Sequence, residues 1–402
     1  MTWKLAVEPR NWQRAALNAW VSAGHRGIIE VVTGAGKTVF AEMCIELARS
    51  TFPGAIFVIT VPTLALLDQW YVSLQEELQV SQSDIATYSG EGKSSSPAPI
   101  NIMTLNTARE AASRIAQEHS VVLIVDECHR IGSPVNAQAM VGEHVATIGM
   151  SATPEREYDS AFEELVVPAL GPVIYSYDYN QAHADGVIAP FDLINVAIPL
   201  QPHEREEYEA LSKKVSSLIG KRRAGYDVEH QLTRLLRKRA NLSATALMRI
   251  PVAVRLVEGH RGERVLIFHE QIRAAEIISE RLAERRHRVA LYHSKIDPAL
   301  RRSNLRMYRR GQFDTLVSCR ALDEGVNIPE TTVAVVASST ASSRQRIQRL
   351  GRVLRPAPGK DRAVVYTLYA TEVEERRLLQ EAESLDSANS IQWMKSSTRN
   401  DG

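Results

Sequence analysis

The sequence predicts an α/β fold with two parallel β-sheets. Short runs rich in β-branched residues alternate with stretches of helical periodicity, and this alternation occurs twice, once before residue 190 and again after residue 258. Repeated strand, turn and helix are typical of βαβ units, whose parallel sheets are covered by helices on both faces. A chain of 402 residues is also long enough for more than one hydrophobic core.

The candidate strands divide between two halves of the chain. The first half contains strands at residues 27–32, 55–61, 121–125 and 147–150, and a helix at 37–50. The second half contains strands at residues 264–268, 288–292, 315–319, 332–337 and 363–369. We therefore expect one domain at residues 1–190, a helical connecting arm at 191–258, a second domain at 259–375 and a tail at 376–402. The tail is polar and is expected to be frayed from about Ser387.

Composition excludes several classes of protein. Hydrophobic residues make up 44% of the chain and charged residues 24%, which is typical of a folded globular protein and not of a disordered one. No apolar run approaches the roughly 20 residues of a membrane helix, and the N-terminus lacks an apolar signal core. Three widely separated cysteines, Cys44, Cys128 and Cys319, do not have zinc-site spacing and favour buried, reduced thiols. We expect a cytoplasmic protein without a membrane partner.

A phosphate-binding loop is predicted between the first strand and the helix that follows it. Small residues allow backbone N–H groups to close around phosphates, and the N-terminus of a helix favours their negative charge. Lys37 would contact the β and γ phosphates of ATP, and Thr38 would be a ligand of Mg²⁺. The residues expected to bind ATP are Thr33, Gly34, Ala35, Gly36, Lys37 and Thr38.

An acidic pair, Asp126 and Glu127, follows the third candidate strand. Carboxylates at the carboxyl end of a strand lie where α/β sheets bind ligands. We expect Asp126 to hold Mg²⁺, directly or through water, and Glu127 to polarise the attacking water. His129 is a candidate link between this pair and the segment 151–153, with a purely structural hydrogen bond as the alternative.

The connecting arm carries two basic clusters, at residues 213–223 and 234–239. A solvated helical linker and a helical arm that contacts nucleic-acid phosphates explain these clusters equally well. Under the second interpretation Arg237, Lys238 and Arg239 bind nucleic acid. The net charge of +1 shows that any basic surface is local.

A third basic segment, residues 345–355, reads Gln-Arg-Ile-Gln-Arg-Leu-Gly-Arg-Val-Leu-Arg. A basic helix would show similar spacing, but Gly351 within the run favours a close backbone approach. Arginines presented to a γ-phosphate would stabilise the charge of a phosphoryl-transfer transition state.

Together these motifs resemble those of superfamily 2 helicases, particularly the xeroderma-pigmentosum-B-like repair translocases and the helicase subunits of restriction enzymes. The resemblance extends over residues 5–370, with the motifs in family order. It implies two RecA-like domains with an ATP cleft between them. It also implies that Gln13 reads the adenine, that Gln348 faces the γ-phosphate, and that Arg352 and Arg355 are arginine fingers.

Further residue roles follow from the same resemblance. Pro62, Thr63, Thr104 and Phe268 match motifs that contact nucleic acid. Segment 322–329 matches the motif that links ATP to nucleic acid, which assigns Gly325 and Asn327 to the nucleotide site. Asn327 replaces the Asp usual in the family, and therefore keeps a hydrogen-bond acceptor but loses the charge.

The sequence thus predicts a Mg-ATP-dependent motor on nucleic acid, with DNA favoured over RNA and a role in repair, restriction or defence. Contacts mainly to phosphates would give low sequence specificity. Two alternatives are an RNA helicase that melts short duplexes and an ATP-gated clamp or assembly subunit without motor activity. The resemblance also suggests a partner subunit that supplies nuclease or targeting activity.

Overall fold

A computed structural model describes residues 3–90, 92–94, 96–151, 162–187, 191–319, 331–338, 363–382 and 388–396. The chain divides at about residue 188 into two compact units. Each unit contains one β-sheet covered by helices, so the α/β class predicted from the sequence is confirmed.

The first sheet has the strand order β4-β3-β5-β2-β6-β7-β1-β8 within the described residues. All neighbours pair in parallel except β3 and β4, which are antiparallel. The strands are Arg26–Val31 (β1), Ile56–Val61 (β2), Ile85–Ser89 (β3), Gly92–Lys93 (β4), Ile100–Thr104 (β5), Val121–Asp126 (β6), Ala146–Ser151 (β7) and Val173–Tyr177 (β8).

Helices cover both faces of this sheet. Successive strand residues point to opposite faces, so that Ile29 joins a core with Phe40 and Trp70 while Ile28 joins a second core with Ile115. The helices are Asn11–Ser22 (α1), Lys37–Thr51 (α2), Leu64–Glu76 (α3), Leu105–Glu118 (α4), Pro134–Ala137 (α5), Val167–Leu170 (α6) and Tyr179–Ala184 (α7). Shorter helical turns lie at Gln82–Asp84, Cys128–Arg130, Gln138–Met140 and Phe162–Val166.

The second sheet is entirely parallel in its described part, with the order β11-β12-β10-β13-β14-β9-β15. Its strands are Phe191–Ala197 (β9), Val265–His269 (β10), Val289–Tyr292 (β11), Thr315–Cys319 (β12), Val333–Val336 (β13), Ala363–Tyr369 (β14) and Ala388–Lys395 (β15). The described helices after β9 are Pro202–Arg223 (α8), Glu229–Ala244 (α9), Arg249–Gly259 (α10), Ile272–Glu284 (α11), Pro298–Arg309 (α12) and Glu372–Ala382 (α13).

Two expectations from the sequence differ from the structure. Residues 191–197 of the expected helical arm form β9, whose polar Asp192 and Asn195 interrupt the apolar run that marks a buried strand. The tail expected to be frayed contains β15, which pairs with β9 over its length. Because backbone hydrogen bonds to β9 hold this strand, its side chains do not need an apolar pattern, and Met394 is half-exposed.

The helices α8 and α9 form a hairpin with a small core of its own, made by Val215, Leu218, Val228 and Leu232. One described stretch, Glu229–Gly259, is long and apolar enough to cross a membrane by length and composition alone. It consists of α9 and α10 with a break between them, and α10 places Val252 and Val257 in the core of the second unit. We therefore assign its apolar part to a core helix.

Candidate nucleotide-binding site

The predicted phosphate loop and the predicted acidic pair meet at one edge of the first sheet. Strands β6, β7 and β1 are consecutive neighbours in this parallel sheet, so their carboxyl ends lie at the same edge. The loop follows β1 and the acidic pair ends β6. Together they line a pocket of about 350 Å³, which includes space open to solvent. The lining residues are Thr33, Gly34, Gly36, Lys37, Thr38, Gln69, Asp126 and Glu127.

Two glycines give the loop its shape. Gly34 has φ +84° and Gly36 has φ +101°, both in the region that side chains rarely adopt. A Cβ atom at Gly36 would also lie 2.8 Å from Nε2 of Gln13. Gly36 immediately precedes α2, so the free N–H groups at the start of that helix open onto the pocket.

Helix α1 holds the loop from outside. Arg10 Nη1 and Trp12 Nε1 donate hydrogen bonds to the carbonyl of Ala35, at 3.1 and 3.2 Å. Gln13 Nε2 donates to the carbonyl of Gly36 at 2.8 Å, and its Oε1 accepts from the backbone N–H of Arg10. Since carbonyl and N–H point in opposite directions across a peptide plane, these contacts turn the loop's N–H groups away from α1.

Gln13 is buried, and both polar atoms of its side chain bond to the backbone of the chain. The structure therefore places Gln13 as a support of the phosphate loop. Its predicted contact with adenine stays a prediction.

Lys37 is the cation of the pocket. Its ammonium donates a hydrogen bond to the carbonyl of Val31 at 3.1 Å, at the end of β1. A phosphate oxygen would compete well with this neutral acceptor, because its negative charge attracts the ammonium in addition to accepting a hydrogen bond.

Asp126 is a buried carboxylate held at both oxygens. Its Oδ2 accepts from Trp70 Nε1 at 3.0 Å, and its Oδ1 accepts from the backbone N–H of Glu127 at 3.0 Å. Burial, and next the neighbouring carboxylate of Glu127, raise the pKa of Asp126 to about 6, against the opposing effect of Lys37. A cation bound beside Asp126 would favour its charged form.

Glu127 occupies a strained turn directly after β6. Its φ of +51° and ψ of +50° lie in the left-handed region, which costs a non-glycine residue about 1 kcal/mol or more. Its Oε2 lies 3.5 Å from Nδ1 of His129, and that nitrogen lies 3.2 Å from Oγ of Ser151 at the end of β7. His129 thus contacts both strand ends; Ala152 and Thr153 lie outside the described residues.

The donor set fits Mg²⁺. The Thr38 hydroxyl and the carboxylates of Asp126 and Glu127 line the same pocket, and all are hard oxygen donors. Among the residues that the structure describes, no group of three His, Cys, Asp or Glu side chains could hold a metal ion by itself. Mg²⁺ suits such a sparse site, because it keeps water and takes phosphate oxygens from its nucleotide.

Three residues predicted to contact nucleic acid lie near the same sheet edge. Pro62 and Thr63 follow β2, and the Thr63 hydroxyl caps α3 by accepting from the N–H of Leu66. Thr104 ends β5, the neighbour of β2, and its hydroxyl lies 3.1 Å from that of Thr107. All three predicted residues are partly exposed, and their contact with nucleic acid stays a prediction.

The side chain of Phe268 is 3% exposed within β10 and belongs to the interior of the second unit. The physical reason is that a central parallel strand is covered on both faces, which buries side chains of either orientation. The predicted contact of Phe268 with nucleic acid stays a prediction.

The basic arm forms the α8–α9 hairpin. Residues 213–239 contain nine lysines and arginines and two acidic residues, so the charge is strongly local. Lys238 pairs with Glu207 at 3.0 Å, and the Arg239 guanidinium lies 5.8 Å from the ring centroid of Tyr208. Arg237 is exposed. The hairpin offers basic side chains to solvent, and their binding to phosphates stays a prediction.

Five predicted site residues lie outside the described residues. They are Gly325, Asn327, Gln348, Arg352 and Arg355. Their roles in the nucleotide site and as arginine fingers stay predictions.

The sequence analysis assigned no site role to two residues of α3, Gln69 and Trp70. Gln69 lines the pocket, and Trp70 hydrogen-bonds Asp126. The sequence carries one indication of them, since the polar Asp68 and Gln69 stand among mostly apolar residues. The structure buries the whole stretch 65–74. Buried polar residues in a helix require polar partners.

Two family models match this chain, one in each half. Residues 6–156 match the family model of the type III restriction enzyme res subunit, and residues 248–357 match the helicase conserved C-terminal domain.

Two curated relatives match most of the chain. A DNA 3'-5' translocase XPB2 of Sulfurisphaera tokodaii is 27% identical over 87% of this chain and 79% of the relative. A DNA 3'-5' helicase XPB of Mycobacterium tuberculosis is 25% identical over 90% of this chain and 60% of the relative. The chain therefore spans most of the first relative and less than two thirds of the second.

Among solved structures, Saccharomyces cerevisiae Dbp5 bound to RNA and ADP BeF3 shares the fold, with a TM-score of 0.64. The match covers 96% of this chain and 90% of Dbp5 at 13% identity. At this identity the likeness concerns the fold alone, which is that of two RecA-like domains.

Proposed function

We propose that this chain, which belongs to the superfamily 2 helicases, is an ATP-driven translocase on double-stranded DNA. The observation that carries the proposal is the pocket that combines Lys37 of the phosphate loop with Asp126 and Glu127. The names of the two curated relatives, a DNA translocase and a DNA helicase, support DNA as the track. ATP use is general in this superfamily.

The residues of the pocket have different roles in ATP hydrolysis. Backbone N–H groups of the loop and the Lys37 ammonium bind the phosphates, and Thr38 and Asp126 hold Mg²⁺. Mg²⁺ held there would supply positive charge beside the phosphate oxygens. Glu127 orients and polarises the attacking water, and its contact with His129 restrains its direction. The strained backbone at Glu127 is consistent with a residue whose orientation serves function.

Nucleic acid would be held mainly through its phosphates. Pro62, Thr63 and Thr104 offer a partly exposed edge beside the ATP site, and the α8–α9 hairpin offers local positive charge. Contacts of this kind position a protein on its track without reading the base sequence. A partner subunit that supplies targeting or nuclease activity, and a cytoplasmic location, belong to the proposal as well.

ATPase rates across a panel of nucleic acids test the proposal. We expect duplex DNA to stimulate ATP hydrolysis more than single-stranded DNA or RNA of equal length. The same protein should displace the third strand of a DNA triplex without a free end in the duplex, as a translocase does. Lys37→Ala serves as the control for contaminating ATPase.

Two other outcomes would overturn the proposal in different ways. Maximal stimulation by RNA together with local melting of short RNA duplexes would indicate an RNA helicase. Stimulated hydrolysis without displacement of the third strand would indicate an ATP-gated clamp.

A further inference from the structure

We propose that Trp70 is a positioning residue for Asp126, which it orients toward Mg²⁺ through its indole N–H. The inference deepens the proposed function and rests on its assignment of Asp126 to the Mg²⁺ site. Trp70 belongs to α3 and has no accessible surface.

The hydrogen-bond geometry fixes the plane of the Asp126 carboxylate. Trp70 Nε1 lies 3.0 Å from Oδ2, and the backbone N–H of Glu127 lies 3.0 Å from Oδ1. One donor comes from helix α3 and the other from the turn after β6. Since each oxygen is held from a different element, rotation about the Cβ–Cγ bond would break both contacts.

Burial makes the indole donor hard to replace. The Trp70 ring packs in the same core as Leu66, Leu67 and Ile59. Its donor nitrogen and the Asp126 acceptor form a buried pair. Water therefore has little access to take over the hydrogen bond if the indole N–H is removed. Removal of such partners behind metal ligands commonly changes metal affinity about 10- to 100-fold.

Trp20 provides a matched control. It is also completely buried, and its indole N–H donates one hydrogen bond, at 2.9 Å, to the carbonyl of Thr147. Trp20 and Thr147 do not line the nucleotide pocket. Trp20→Phe therefore removes the same donor from the same core without touching a carboxylate of the site.

The test measures how nucleotide binding depends on Mg²⁺, in the full chain, with a fluorescent ADP as the probe. We expect Trp70→Phe to raise the Mg²⁺ concentration for half-maximal binding about 10-fold. Trp20→Phe should stay within about 2-fold of the wild type, because packing alone does not alter a Mg²⁺ ligand. Thermal unfolding of both variants measures the reduction in packing that they share.

A second variant covers the case in which phenylalanine leaves a cavity that unfolds the protein. Replacement of Trp70 by 3-benzothienylalanine keeps the bicyclic shape and exchanges the N–H for sulfur. It should show the same rise in the Mg²⁺ requirement.

The outcomes separate this inference from the proposed function. An Mg²⁺ requirement equal to that of the wild type, in the folded Trp70 variants, would overturn the role of Trp70. A wild type that binds Mg-nucleotide normally, but does not move on DNA, would overturn the proposed function. The Mg²⁺ titrations of the Trp70 variants would still decide the inference in that case.

Discussion

Asp126 in the first unit and Arg249 in the second are both buried charges, but their surroundings compensate them differently. Arg249 donates to the carbonyls of Ser243, Ala337 and Leu368 and pairs with Glu374 at 2.6 Å. Asp126 accepts hydrogen bonds from two neutral donors and lies beside a second carboxylate.

The difference separates a structural charge from a functional one. Burial of a charge is costly unless opposite charge and hydrogen bonds offset it. Around Arg249, where α10, β13 and β14 meet, carbonyl groups and the Glu374 carboxylate of the chain itself offset the cost of burying the charge. Around Asp126, a bound cation would offset the remaining cost of burying the carboxylate charge. This couples the stability of the site to its ligand.

The largest effect is expected at Lys37, the cation that faces Asp126. Lys37→Ala should lower DNA-stimulated turnover by a factor on the order of 10³, because the phosphates lose their charged donor. The measurement is the steady-state ATPase rate at saturating DNA. Lys4→Ala, an exposed lysine of the first unit outside the pocket, is the matched control and should keep the rate. Normal turnover by the folded Lys37→Ala variant would show that ATP is not hydrolysed in this pocket.

Glu127 is expected to separate binding from hydrolysis. Glu127→Gln removes the carboxylate that polarises water and should reduce turnover by about 10²-fold or more. Nucleotide affinity should stay close to that of the wild type, because Gln preserves the size of the side chain. Single-turnover hydrolysis and fluorescent ATP binding check the two parts. A wild-type rate at saturating ATP would remove Glu127 from this role.

Arg249 should affect stability without a direct effect on ATP. Arg249→Met leaves the Glu374 carboxylate without its guanidinium partner and should lower the free energy of unfolding by about 3 to 5 kcal/mol. Arg288→Met, at the exposed pair with Asp314, should cost much less, because solvent screens an exposed ion pair. Denaturant unfolding measures both. Similar small costs would mean that burial does not distinguish these two pairs.

The raised pKa of Asp126 predicts that the contribution of this residue to stability depends on pH. The pKa of Asp126 is about 6 in the folded protein, and the ordinary value for an aspartate is 3.8. The folded protein therefore holds the proton more tightly than the unfolded chain. The contribution of Asp126 to the free energy of unfolding should therefore fall by roughly 2 to 3 kcal/mol as pH rises from about 4 to 7.

Urea unfolding without nucleotide or Mg²⁺ measures this fall as the difference between wild type and Asp126→Asn across the pH range. The difference removes the titration of groups that do not interact with Asp126. A difference that stays constant with pH would contradict the burial-driven shift.

The smallest effect is expected for the solvated charges of the hairpin. Replacing Arg237, Lys238 and Arg239 by Ala should weaken DNA binding and reduce its salt slope by about one unit for each phosphate that is no longer neutralised. Basal ATPase should be unchanged. Glu207→Gln releases Lys238 from its ion pair and should strengthen binding slightly. An unchanged salt slope would identify the hairpin as a linker only.

Local pattern was sufficient for four adjacent strands of the first sheet and five of the second. Nine strands predicted from apolar runs match the structure to within one residue at each end, as at residues 121–125 against Val121–Asp126. The described strands that were not predicted include interior ones, since β5 lies between β3 and β2 and contains the buried Asn101. β9 contains the buried Asn195, and β15 depends on backbone hydrogen bonds to β9.

The sequence by itself determined the phosphate loop, the acidic pair and the class of fold. A glycine-rich loop with lysine after one strand, followed by two carboxylates after a later strand, is typical of a nucleotide site in an α/β fold. Only the tertiary structure decided which neighbours hold them. Trp70 lies 56 residues before Asp126 in the chain, and its indole reaches that carboxylate only because α3 packs against the sheet next to β6. The tertiary structure also buried Phe268, since covering helices make both faces of a central strand part of the core.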